Sequence, residues 1–129
     1  MIGLDTGFFI EVLKANEQAV TVLQKIHDGE DACVSGLTIF ELRRLALKGL
    51  LEKDFIDVVV QNIPVFCTVC WLDNGEIHDF AAGLANDLGI SAMRSLILTG
   101  LILSGAETIY TTDPHMESYA GRGVAVIKI

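Results

Sequence analysis

Three carboxylates occupy places in this sequence where reactive or ligand-holding groups are often found. Asp5 follows the apolar run Ile2-Gly3-Leu4, and Asp113 follows Ile109-Tyr110-Thr111-Thr112. Glu41 lies one turn into the apolar helical segment Leu37-Thr38-Ile39-Phe40-Glu41-Leu42. In open parallel sheets, sites form beyond the carboxyl ends of the strands. If the first and fourth strands are neighbours, all three acids face one cleft. Clustered carboxylates repel, and a divalent cation is the usual reason to keep them together. Such a cation can polarise a phosphodiester and lower the pKa of attacking water. Each acid also has a plainer reading. Asp5 can serve as a helix cap or turn residue, and Asp113 before Pro114 can start a turn. Thr38-x-x-Glu41 fits a capping box. Against that, a carboxylate at Glu41 on an apolar face is costly unless paired or metal-bound.

The elements that would position these acids alternate in hydrophobic period. Met1 to Asp5 reads as a strand, with Thr6 capping a helix from Gly7 to Ala15. Glu17 to His27 is an amphipathic helix that includes Val20, Leu23, Gln24 and Ile26, and Ala32 to Ser35 is a buried strand. Thr38 to Leu47 and Lys53 to Asn62 are helices, the second ended by Pro64, and Val65 to Val69 is a strand. Helices over Asn74 to Leu88 and Ser91 to Leu103 precede strands at Thr108 to Thr111 and Val124 to Ile129. Strands separated by helical runs of this length need right-handed parallel crossovers. The expected architecture is a three-layer α/β/α sandwich with a mainly parallel central sheet.

The 129 residues suit a single domain over 1–129, and 51% hydrophobic against 20% charged residues exclude disorder. The longest apolar stretch, Leu96 to Ala106, is interrupted by Thr99, Gly100, Ser104 and Gly105 and is too short for a bilayer, so no membrane association is expected. No secretory signal is visible, and three cysteines, an odd count, favour a reducing cytoplasm. With 9 basic against 17 acidic residues, the net charge of -8 argues against a broad basic nucleic-acid surface. A metal-centred acidic cleft acting on nucleic acid is compatible with it.

Ile2 to Thr6, Ser35 to Leu42 (SGLTIFEL) and Gly105 to Asp113 (GAETIYTTD) resemble the successive motifs of PIN-domain proteins, in order and with similar spacing. The group they resemble most is the VapC-type ribonuclease toxins of prokaryotes. The resemblance implies a Mg2+- or Mn2+-dependent endoribonuclease with carboxylate ligands at Asp5, Glu41 and Asp113. It also implies polar helpers at Thr6 and Thr111, an RNA substrate, a VapB-like antitoxin partner and a homodimer.

One position departs from that pattern. The family has a further aspartate at the start of the helix before the last motif, and counting back from Gly105 it falls on Arg94. Arg94 is the one charged residue between Asp87 and Glu107. With Ser91 as N-cap it takes the third helical position, where an acid would complete a capping box and suit the helix dipole. Arg94 could turn to solvent, pair with the three acids in place of a metal, or be an introduced inactivating change. The inward orientation is preferred because the acids otherwise lack a counter-charge. Each way, the missing acid puts catalysis in doubt, and the competing function is a non-catalytic RNA- or protein-binding module.

Other motifs are weaker. Cys67-Thr-Val-Cys70 has redox or zinc spacing, but no helix begins at Cys67 to acidify it, and only Cys33 and His78 offer further ligands. Buried, inert thiols are the favoured reading. His115, beside Asp113, could reach a phosphate but is more simply a solvated turn residue; His27 stands at a helix end. Gly100 to Gly105 lacks the lysine of a phosphate-binding loop. Leu50-Leu51, Phe55 and Val58-Val59-Val60 carry more apolar residues than one helix face needs, as a dimer or antitoxin surface would.

Overall fold

The chain passes its own central strand once before the site is complete, so the order of the strands decides what meets. The computed structural model describes residues 1–121 and 123–129. Strands β1 (Ile2–Leu4), β2 (Ala32–Ser35), β3 (Thr68–Cys70), β4 (Thr108–Thr111) and β5 (Ala125–Lys128) form one sheet in the order β3-β2-β1-β4-β5. Every pairing is parallel. The chain builds outward from β1 to β3, returns to the other side of β1 with β4, and ends at β5. Between β1 and β4 the winding therefore reverses, which opens a crevice at the carboxyl ends of those strands. The expected pairing of the first and fourth strands is present, with Leu4 opposite Tyr110.

Helices α1 (Thr6–Leu13), α2 (Glu17–His27), α3 (Gly36–Leu47) and α4 (Lys53–Phe66) belong to one face. There Leu4, Phe8, Val22, Val34, Leu42 and Ile56 form a core. Helices α5 (Gly75–Leu88), α6 (Ala92–Leu103) and the short α7 (Pro114–Glu117) serve the other. Its core gathers Cys33, Leu98, Leu101, Ile109 and Met116. The layers are thus helix, sheet, helix. At Gly3 an added Cβ would lie 3.0 Å from Ala106 Cβ and 3.3 Å from Leu101 Cβ, so glycine lets α6 press onto the centre of the sheet.

Several boundaries differ from the sequence reading. The cap of α1 is Asp5, whose carboxylate accepts from the Phe8 N–H, and Thr6 is already helical; the helix stops at Leu13. Helix α3 starts at Gly36 under the Ser35 hydroxyl, which accepts from the Leu37 N–H. Thr38 is therefore inside the first turn, and the Thr38–Glu41 capping box does not form. Helix α4 runs through Pro64 to Phe66, and the strand begins at Thr68, not Val65. Proline removes one N–H from the last turn, a loss the helix tolerates because Cys67 N–H still closes on the Ile63 carbonyl. On α2 the core takes Ala19, Val22 and Ile26, while Val20 and Leu23 face outward.

Candidate active site

Asp5 leaves β1 buried and fully engaged. Its Oδ1 accepts from Phe8 N–H at 2.9 Å and its Oδ2 accepts from Thr111 Oγ1 at 2.5 Å. Burial drives its pKa above the ordinary carboxylate value, aided by the Asp113 charge and opposed by its hydrogen bonds to Thr111, Phe8 and Thr112. Thr111, wholly buried on β4, also accepts from Asp113 N–H at 2.9 Å. One hydroxyl thus links the two strand-end acids.

Glu41 reaches the same region from α3. Thr6 Oγ1 donates to Glu41 Oε1 at 2.5 Å and lies 3.1 Å from Thr38 Oγ1, whose own hydrogen can complete the chain. The apolar-face carboxylate is stabilised by this hydroxyl pair, and Thr38 is a contributor the sequence offered only as a cap.

Asp113 caps α7, accepting from His115 N–H at 2.9 Å through Oδ1, with His115 Nδ1 3.2 Å from the same oxygen. Its Oδ2 is buried and makes no hydrogen bond among the described residues, while Arg94 Nε stands 3.2 Å away as an ion pair. The distance is short, but the angle is outside hydrogen-bond geometry, so the contact is charge pairing without a directed bond. The Arg94 side chain remains 56% exposed, the Asp113 side chain 7%. Arg94 N–H donates to Ser91 Oγ at 3.3 Å, placing it third in α6 as the sequence indicated. His115 is solvated, its side chain 64% exposed, and it also borders the cleft against Asp113.

Asp5, Thr6, Glu41, Arg94, Asp113 and His115 all border one cleft of about 450 Å³ at the switch point between β1 and β4. The acids share the cleft without converging on one point. Among the described residues no group of three His, Cys, Asp or Glu side chains could hold a metal ion. The oxygens are hard donors of the kind Mg2+ and Mn2+ take. As arranged, however, they do not fit such an ion: both Asp5 oxygens are spent on the protein, and Asp113 already faces a guanidinium.

The thiols form no second centre. Burial, with Cys70 and Cys67 nearby, pushes the Cys33 thiol up to about 12, and burial alone raises Cys67 to about 11. None of the three cysteines is in a disulfide.

No protein-family model matches this chain, and no curated protein does. Solved structures do. A chain of the VapBC2 complex from Rickettsia felis, bound to a DNA fragment from its promoter, superposes with a TM-score of 0.72 at 15% identity. That match covers 99% of this chain and 98% of the other. The fold is one used in toxin–antitoxin complexes. A chain of FitAcB from Neisseria gonorrhoeae gives 0.64 at 22% identity, over 99% and 97% of the two chains. One from a Klebsiella pneumoniae toxin–antitoxin complex gives 0.69 at 14% identity over the full length of both. At these identities the likeness is one of fold. No helix among the described residues is long and apolar enough to cross a membrane.

Proposed function

We propose that this chain is the toxin-type member of a toxin–antitoxin pair, a PIN-like protein of VapC type, whose ribonuclease chemistry is disabled by Arg94. The observation that carries the reading is the cleft itself: Asp5 and Asp113 at the ends of adjacent strands and Glu41 from α3, with Thr6 and Thr111 bound to the acids. An RNA phosphodiester is the substrate class such a cleft would serve once Mg2+ or Mn2+ was held by Asp5, Glu41 and Asp113. The present arrangement does not gather those donors, and no hydrolytic step is assigned to it. The Arg94–Asp113 ion pair therefore favours a second reading, a non-catalytic module that binds RNA or a protein partner.

An antitoxin is the partner proposed for an apolar groove of about 290 Å³ between α2 and α4. It is lined by Phe9, Leu23, Phe55, Val58, Val59 and Phe66, with His27 and Asn62 among its polar members. Much of the stretch singled out in the sequence is absorbed by the fold: Leu51, Phe55, Val59 and Val60 pack partly on the core. Within that stretch Leu50 and Val58 stay exposed, at 68% and 58%, and with the groove they are what it offers a homodimer or antitoxin contact.

The test is Mn2+-dependent cleavage of structured RNA by this chain and by Arg94→Asp, with Asp5→Asn in each as control. The expected result is no cleavage by the native chain and Asp5-dependent cleavage by the variant. Cleavage by the native chain would overturn the disabling role of Arg94; no cleavage by either, with RNA retained, would support the binding module.

A further inference from the structure

The cleft holds three acids and needs positive charge, and the chain has placed some there itself. Asp113 is the acid that faces Arg94 and His115. His115 N–H and Nδ1 face its Oδ1, and Arg94 Nε faces its Oδ2 at 3.2 Å. That Oδ2 is buried and lacks a hydrogen bond among the described residues, so the Arg94 guanidinium stands against its desolvation. Asp5, the other strand-end acid, is buried and linked to Asp113 through the Thr111 hydroxyl.

We propose that Arg94 is the resident counter-cation of this cleft, taking the electrostatic role a divalent ion would have, so that the carboxylates are held together without metal. A guanidinium is suited to this because it stays charged at all relevant pH values and presents several N–H groups in one plane. Its fixed charge raises the cost of bringing a second cation to Asp113, and it faces the buried acid oxygen that has no hydrogen bond among the described residues. Its side chain borders the cleft and is 56% exposed. The apo protein should then be the stable form and divalent metal a poor ligand. This consequence goes beyond the proposed function and does not depend on RNA being the substrate.

Calorimetric titration with Mn2+ and thermal melting in EDTA or Mn2+ test it on the native chain, Arg94→Asp and Arg94→Gln. The native chain should melt at the same temperature with and without Mn2+. Arg94→Asp changes the local charge by two units and adds a carboxylate. It should melt lower in EDTA, recover in Mn2+, and bind the ion more than about tenfold tighter than the native chain. Arg94→Gln removes the charge and leaves a shorter side chain that still carries an N–H donor, and should melt lower in EDTA than the native chain. Should Arg94→Asp fail to fold, the native chain and Arg94→Gln still decide. Equal Mn2+ affinity in the native chain and either variant would overturn the proposal, as would an Arg94→Gln chain no less stable in EDTA. Neither outcome bears on RNA cleavage, which tests the separate functional reading.

Discussion

Thr111 donates to Asp5 Oδ2 at 2.5 Å across the β1–β4 pair and accepts from the Asp113 N–H with the same oxygen. The hydroxyl is wholly buried, so water cannot replace it. Thr111→Val keeps the shape and strands both partners. The expected cost is about 1–3 kcal/mol for leaving a buried polar group unpaired. Urea unfolding at neutral pH measures it; a loss within error of zero would mean the Asp5–Thr111 contact is not maintained in solution.

Asp5 also sets a pH dependence. Its folded pKa lies above the unfolded value, chiefly through burial. The folded state therefore holds the proton more tightly than the unfolded chain. The stabilisation that protonation gives is complete below the unfolded carboxylate pKa and is lost as pH rises through the raised folded value. Asp5→Asn removes this titration. Its stability relative to the native chain should thus improve as pH is raised from about 4, read from parallel melts. A difference independent of pH would contradict the assignment.

Two glycines should respond in opposite directions to alanine. A Cβ at Gly7 would sit 1.9 Å from Thr112 Oγ1 and 2.9 Å from Thr112 Cβ, at the edge of the cleft. Gly7→Ala must displace the Thr112 side chain or α1, with a cost of about 1–3 kcal/mol. Gly83, inside α5, has nothing within 4 Å of the same atom. Gly83→Ala should stabilise by about 0.5–1 kcal/mol, because alanine loses less backbone freedom in a helix. Melting temperatures of both variants, moving apart, check the pair.

Cys33 and Cys67 should resist alkylation in the folded protein at pH 8, since their thiols ionise only near 12 and 11. The thiolate is the reactive species. Iodoacetamide labelling followed by mass spectrometry should leave both unmodified when native and label all three cysteines in denaturant. Fast native labelling of Cys33 would show that its strand opens readily.

The groove between α2 and α4 gives the last prediction. Val58 is 58% exposed beside it and makes little of the core. Val58→Glu should leave the melting temperature unchanged while weakening any association that uses this face. Sedimentation of the native and variant chains at high concentration reads self-association directly. A drop in melting temperature instead would place Val58 in the fold and not in an interface.

The sequence by itself determined the order of strands and helices and the placing of Asp5 and Asp113 at strand ends, because these depend on hydrophobic period and on local chain direction. It also fixed Arg94 three residues after its Ser91 cap, a purely local relation. Other boundaries shifted where tertiary contacts outweighed local preference. Pro64 lies within α4 because a single lost bond is small beside the burial of Ile56 and Ile63 on that helix. Asp5, not Thr6, became the cap, which freed the Thr6 hydroxyl for Glu41, thirty-five residues away. Only the folded chain could decide that Arg94 turns toward Asp113, that His115 joins it, and that the three acids share a cleft without meeting at one point. Those facts depend on side-chain directions set by the β1–β4 crossing and by α6 packing over Gly3, and neither leaves a mark in residue spacing.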